Sequence, residues 1–94
     1  MLKTLENLIN IIRDRKSSSD DSSYTLKLLK DKSLSVEKVK EEIEELIEAV
    51  ENNSNEVHEA ADVLYHLLVY LEGNNVRIED IMDELEKRKK KKES

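Results

Sequence analysis

The residues of this chain best suited to chemistry are acidic. They fall in two clusters, Glu41-Glu42-Ile43-Glu44-Glu45 and, after thirteen intervening residues, Glu59-Ala60-Ala61-Asp62. Residues three or four apart share one face of a helix. Glu42 with Glu45, and Glu59 with Asp62, therefore each present two carboxylates from a single turn. Glu41 with Glu45, at i and i+4, fits almost as well as Glu42 with Glu45, and spacing alone does not choose between them. A short loop between two helices makes them antiparallel neighbours, which brings the two pairs to one place. Four carboxylates aimed at one spot repel each other. A hard, oxygen-seeking cation such as Mg²⁺ relieves that repulsion and then bridges to phosphate oxygens.

The competing explanation is a solvated helix face, the usual meaning of a Glu-rich run. Glu44 and Glu48 read that way. Asp62 does not. Asp is a poor residue inside a helix because its side chain competes for the backbone, and here it stands beside Ala61, Val63 and Leu64. A carboxylate at the edge of an apolar segment is costly unless it is paired or bound to a metal. Of the two histidines, His58 falls toward the exposed side. His66 reads as a partly buried, hydrogen-bonded residue on the face of Glu59 and Asp62. The sequence has no Ser-His-Asp arrangement, no phosphate loop and no zinc-type His/Cys cluster. The run Lys87-Arg88-Lys89-Lys90-Lys91-Lys92 reads as a frayed, solvated helix end favoured by the helix dipole.

Helical elements must position these groups. Leu2, Leu5, Leu8, Ile9 and Ile12 predict a helix over 3–16. Ser17 to Ser23 is a polar loop. Tyr24 to Leu29 predicts a short helix or turn with Ser23 as its N-cap. Ser35 is the candidate cap of the next helix, whose apolar stripe is Val36, Val39, Ile43, Leu46, Ile47 and Val50. A second strip, Lys38, Glu42, Glu45 and Ala49, flanks it. Asn52 to Asn55 breaks that helix. The following one runs to about Glu72, with Gly73 as the residue just past its end. Its stripe is Val57, Ala60, Ala61, Leu64, Leu67, Leu68 and Leu71, with Val63, Val69 and Tyr70 adding apolar surface elsewhere. A helix greasy nearly all round is buried on two sides, and in a monomer the face of Glu59, Asp62 and His66 has little to cover it. A homodimer or larger bundle is therefore expected. Ile78, Ile81, Met82 and Leu85 mark a last helix. No strand pattern and no internal repeat appear.

Composition narrows the class. A chain of 94 residues suits one small domain, residues 1–94 with the basic tail 87–94 frayed. Its core must be Leu, Ile, Val and Ala, because Phe, Trp, Cys and Pro are absent. Charged residues are 40% of the chain, yet the apolar ones are strongly periodic, so a folded domain is expected. The lack of Cys excludes disulfides and thiol catalysis and is compatible with a reducing cytosol. The first residues do not resemble a signal peptide, and no apolar run is long enough to span a bilayer. A cytoplasmic protein without a membrane partner is expected. The net charge of −6 argues against a nucleic-acid-binding domain.

Glu41-Glu42-x-x-Glu45 followed by Glu59-x-x-Asp62 resembles the signature of the all-α nucleoside triphosphate pyrophosphohydrolase (MazG-like) superfamily. Within it the chain most resembles the phosphoribosyl-ATP pyrophosphatase family. Ser23-Tyr24-Thr25-Leu26-Lys27-Leu28-Leu29 looks like that family's Ser-Tyr-Thr segment. Lys38-Val39-Lys40-Glu41-Glu42 resembles its Lys-Val-Gly-Glu-Glu, and Glu59 through Leu68 resembles its second acidic helix. Lys40 stands where the family has Gly, and the loop before Ser23 lacks the family's Asn-Pro.

The resemblance implies an all-α, MazG-like bundle of four to five helices completed by dimerisation. It implies Mg²⁺-dependent hydrolysis of 1-(5-phosphoribosyl)-ATP to the AMP derivative and pyrophosphate, the second step of histidine biosynthesis. Glu42, Glu45, Glu59 and Asp62 are the implied metal ligands, and Glu41 is the implied base or outer residue. Arg15, Lys27 and Lys38 are implied phosphate contacts, and Ser23, Tyr24 and Thr25 line the substrate. A housecleaning pyrophosphatase for other nucleotides is the alternative of the same class. A non-catalytic helical interaction module is the alternative of another.

Overall fold

The computed structural model describes residues 2–17 and 23–93, with side chains as far as residue 90. Residues 18–22 of the expected polar loop lie outside the described residues. The described chain is α1 (Lys3–Lys16), α2 (Tyr24–Lys30), α3 (Lys32–Asn52), α4 (Glu56–Gly73) and α5 (Ile78–Glu93). Among the described residues there is no strand. This is the expected all-α bundle, and α1 has the expected bounds. Where fraying was expected, the backbone stays helical through the basic run, whose side chains at Lys87–Lys90 are exposed.

Local chemistry sets the boundaries. Ser23 caps α2, its hydroxyl accepting from the Leu26 N–H at 3.4 Å. Asp31 both ends α2 and starts α3. Its N–H donates to the Lys27 carbonyl at 3.1 Å, and its carboxylate accepts from the Leu34 N–H at 3.0 Å. The expected cap at Ser35 is thus corrected to Asp31. Ser35 is instead a buried residue one turn into α3. The expectation failed because α2 and α3 share a single junction residue, leaving no loop to read.

Helices α3 and α4 close with the same device. Beyond α3, Asn53 is left-handed (φ 53°), and Ser54 N–H reaches back to the Ala49 carbonyl at 3.0 Å. Beyond α4, Asn75 is left-handed (φ 61°), and Val76 N–H bonds the Leu71 carbonyl at 2.9 Å. Both are Schellman closures, with Asn in the place glycine often takes. Gly73 is therefore not the terminating residue that was expected; it is the last residue of α4. Its small size matters for another reason, since a Cβ there would lie 3.3 Å from Leu29 Cδ2.

Helix α4 is the centre of the bundle and adjoins each of the other four helices. The buried apolar cluster is Ile9, Ile12, Leu28, Leu68, Val69 and Ile78, drawn from α1, α2, α4 and α5. Helix α3 adds only the partly buried Leu34 to it. Its seam with α4 is made instead by the strip that carries Glu42 and Ala49, both buried. The apolar stripe is only partly covered: Val36, Val39 and Leu46 are half-buried, while Ile43, Ile47 and Val50 are 40–55% exposed. On α4 the open positions are Val57 and Leu64, with Ala61 between them, and not the Glu59–Asp62–His66 face. That expectation is corrected too. The carboxylate strip and the apolar stripe compete for one interface, and the carboxylates hold it.

At the far end of α4, Arg13 forks between two carboxylates. Its Nε and Nη2 donate to the two oxygens of Glu72, each at 3.0 Å, and its Nη2 and Nη1 donate to those of Glu79 at 2.7 and 2.9 Å. This ties α1 to α4 and to the first turn of α5. Glu79 comes first and Glu72 second in holding the guanidinium charged, and Arg13 in turn pulls the Glu79 carboxyl down to about 2. Glu72 is buried, so Arg13→Ala leaves a buried acceptor unpaired. A loss of about 1–3 kcal/mol is expected, readable as a lower urea midpoint. Unchanged stability would show that solvent replaces the clamp.

Candidate functional site

The α3–α4 hairpin brings the four expected carboxylates together. Ligand atoms of Glu41, Glu42 and Glu45 lie within 4.8 Å of one another, as do those of His58, Glu59 and Asp62. The two groups share a field. Glu42 is pushed up to about 7, by burial first and then by Glu45, Asp62 and Glu59. Burial, then Glu45 and Asp62, raise Glu59 in the same direction.

One oxygen of Glu42 (Oε2) and one of Glu59 (Oε2) are buried without any hydrogen-bond partner. Buried carboxylate oxygens are normally satisfied. Two orphans, one on each helix, in a cluster of hard oxygen donors fit a divalent metal.

The remaining expected residues divide. Lys38 is half-buried beside the cluster, its Nζ 3.5 Å from Glu41 Oε2, and its charge is reinforced first by Glu41 and then by Tyr24. Ser23 spends its hydroxyl on capping α2. Thr25 Oγ1 hydrogen-bonds the Tyr65 hydroxyl. Tyr24 is the exposed member of the Ser-Tyr-Thr segment. Its hydroxyl oxygen lies within hydrogen-bond distance of His66 Nε2, 3.0 Å, and burial is the main cause that raises its pKa. Lys27 lines an open depression of about 740 Å³ with Ser23, Tyr24, Leu26, Lys30, Asp31, Lys32 and Ser33, three lysines against one carboxylate. Arg15 is not brought in. It is exposed on the last turn of α1, and among the described residues α1 makes no close backbone approach to α3.

His66 is the buried, hydrogen-bonded residue expected of it, 7% exposed. His58 was read as plain surface, and the structure adds to that: its Nε2 lies 3.4 Å from Asp62 Oδ2. The i, i+4 spacing of His58 and Asp62 was the available signal. Tyr65, whose hydroxyl holds Thr25, was not singled out, because at the sequence level it reads as one more apolar residue on α4.

Without a divalent cation this cluster opposes folding at neutral pH. A carboxyl raised in the folded state stabilises fully below its unfolded value, 4.5 for Glu42, and that stabilisation is lost as pH rises through about 7. Glu79 is shifted the other way, to about 2, so its contribution is already complete above 4.5. The melting temperature of EDTA-treated protein should therefore fall between pH 5 and pH 8, and a saturating divalent cation should flatten the slope. A metal-free profile that is level or rising across that range would refute the carboxylate repulsion.

An all-α bundle with such a carboxylate core has the makeup of a metal-dependent hydrolase of phosphate anhydrides. Residues 5–89 match the family model described as Phosphoribosyl-ATP pyrophosphohydrolase, and the chain belongs to that family. It is similar to the phosphoribosyl-ATP pyrophosphatase of Clostridium novyi (strain NT), 40% identical over 96% of this chain and 84% of that protein. It is similar to the phosphoribosyl-ATP pyrophosphatase of Methanosarcina acetivorans, 42% identical over 96% of this chain and 91% of that protein. The histidine biosynthesis bifunctional protein HisIE of Buchnera aphidicola subsp. Schizaphis graminum is 38% identical over 97% of this chain, which spans 45% of that longer protein.

Proposed function

We propose that this chain hydrolyses 1-(5-phosphoribosyl)-ATP to 1-(5-phosphoribosyl)-AMP and pyrophosphate, the second step of histidine biosynthesis. On this reading it acts in the cytoplasm as a single-domain homodimer, with Mg²⁺ on Glu42, Glu45, Glu59 and Asp62. The observation that carries it is the pair of orphaned buried oxygens on Glu42 and Glu59, in a chain whose family is named for this substrate. Among the described residues no helix is long and apolar enough to cross a membrane, in keeping with a small-molecule enzyme.

Bound there, the cation would neutralise the triphosphate and orient it. The chain's own groups do the rest. Glu42 and Glu59, desolvated between the helices, hold charge where water cannot screen it. Glu41 is exposed at the rim and accepts the proton of the water that attacks phosphorus at the α–β bridge. Lys38, held beside Glu41, meets a phosphate oxygen. Tyr24, Ser23 and Thr25 form the wall on the α2 side.

The test is incubation with phosphoribosyl-ATP and Mg²⁺, assayed for released pyrophosphate, with ATP in parallel. Turnover that favours phosphoribosyl-ATP supports the reading. Equal efficiency on both would assign the chain to general nucleotide housecleaning, and no Mg²⁺-dependent release from either would make it a non-catalytic module. Both substrates carry the same triphosphate, so the metal site alone does not separate them. The extra phosphoribosyl phosphate needs a cationic site, and the Lys27 depression offers one. Lys27→Ala should raise KM for phosphoribosyl-ATP more than for ATP. A parallel rise on both substrates would remove this residue from discrimination.

A further inference from the structure

Helix α2 has only seven residues, and an isolated helix that short does not hold itself. Leu26 and Leu28 anchor its inner face in the bundle. Its first turn carries the Ser-Tyr-Thr segment and is held by a second set of contacts, made by two consecutive residues of α4. The Thr25 and Tyr65 hydroxyls bond each other. Tyr24 bonds His66, and the ring centroids of Tyr24 and Tyr65 stack at 6.3 Å. His66 also reaches along its own helix, with Nδ1 2.8 Å from the Asp62 carbonyl oxygen. A carbonyl only accepts, so Nδ1 carries the hydrogen. In the neutral ring Nε2 is then a bare acceptor, and the Tyr24 O–H must point at it.

We infer that His66, seconded by Tyr65, is a positioning residue for the hydrolytic site. One imidazole joins the turn that bears Asp62 to the tyrosine of the substrate wall, and so sets where the Tyr24 oxygen stands relative to the carboxylates. Simple packing does not require this. A buried imidazole with both nitrogens engaged is more demanding than an apolar side chain of the same volume. With its hydrogen spent on Nε2, the Tyr24 oxygen is left as an acceptor, in the field of Lys38, Tyr65, Glu42 and Glu41. It is thus suited to receive a hydrogen bond from Lys38 or from a water, and not to donate to a phosphate. The inference rests on the proposed reaction for its kinetic consequence and on geometry alone for the contact itself.

Two substitutions at one position separate the halves of the contact. His66→Gln places an amide near Nε2 and keeps a partner for Tyr24; His66→Asn places one near Nδ1 and keeps only the Asp62 carbonyl. On phosphoribosyl-ATP, His66→Asn and Tyr24→Phe should each lower kcat/KM by about tenfold, the scale of one well-placed hydrogen bond. Their double variant should be no worse than the poorer single. His66→Gln should recover most of the loss, with kcat restored before KM. Additive losses, or a Gln variant as poor as the Asn one, would overturn the inference.

A second readout needs no substrate. Nitrogen NMR of the labelled wild type should show His66 protonated at Nδ1, with an Nε2 signal that moves in Tyr24→Phe. An Nε2 signal indifferent to that change would overturn the contact whatever the assay shows. A wild type with the NMR signature but no turnover of phosphoribosyl-ATP would refute the reaction and leave the contact standing.

Discussion

Asp62→Asn and Glu59→Gln should each abolish nearly all turnover while the helical fold survives. Each change keeps the shape of the side chain and removes one formal charge from the cluster. Loss of one preorganised hydrogen-bond donor from a catalytic site typically costs about 10²–10³-fold in kcat, and loss of a charged metal ligand is expected to cost at least as much. The same changes relieve repulsion in the metal-free protein. Glu42→Gln should relieve most, because burial has already raised that carboxyl to about 7. The variants are therefore expected to melt higher than wild type in EDTA at pH 8 and to gain less from added Mg²⁺. Steady-state assays at limiting Mg²⁺ with paired melting curves check both halves. Wild-type rate in either variant at low Mg²⁺ would show that the ligands lie elsewhere.

The second large effect concerns the open apolar face of the α3–α4 hairpin. Ile43, Ile47 and Val50 on α3, with Val57 and Leu64 on α4, are 40–85% exposed. On each helix they sit one or two turns apart on a single face. A monomer rarely leaves such a patch uncovered. Each side chain fully buried against a partner would contribute about 1.5–3 kcal/mol. We expect sedimentation at micromolar concentration to give a mass near twice that of the chain. Ile47→Glu should shift it to monomer or precipitate it, with loss of activity at low protein concentration. A wild-type monomer that is stable and fully active would end the dimer proposal.

The acidic spacing located the cluster without help from the structure, because three- and four-residue periods translate directly into helical faces. The bounds of α1 and the Ser23 cap followed from equally local rules. What failed was relational. In most amphipathic helices the apolar stripe is the inward face, but in α3 the strip that carries Glu42 and Ala49 lies against α4. Spacing shows that two strips exist; it does not rank them. Gly73 looked like a stop because glycine often is one, whereas the left-handed duty falls on Asn75, and a Cβ at Gly73 would crowd Leu29 Cδ2. The His58–Asp62 contact and the Tyr65–Thr25 bond depend on how side chains turn once the helices have packed.

The acidic seam has a consequence for the lifetime of the protein. Helices α1, α2, α4 and α5 share one apolar cluster, whereas α3 lies against α4 along a strip in which the buried Glu42 faces other acids. Elements with few apolar contacts open first and most often in the native state. In the metal-free chain, amide protons in the middle of α3 should therefore exchange with solvent sooner than those of α4. Metal and substrate would close that weak point only while they are bound. An idle molecule is thus the one marked for turnover by its own loose helix, and a working one is shielded.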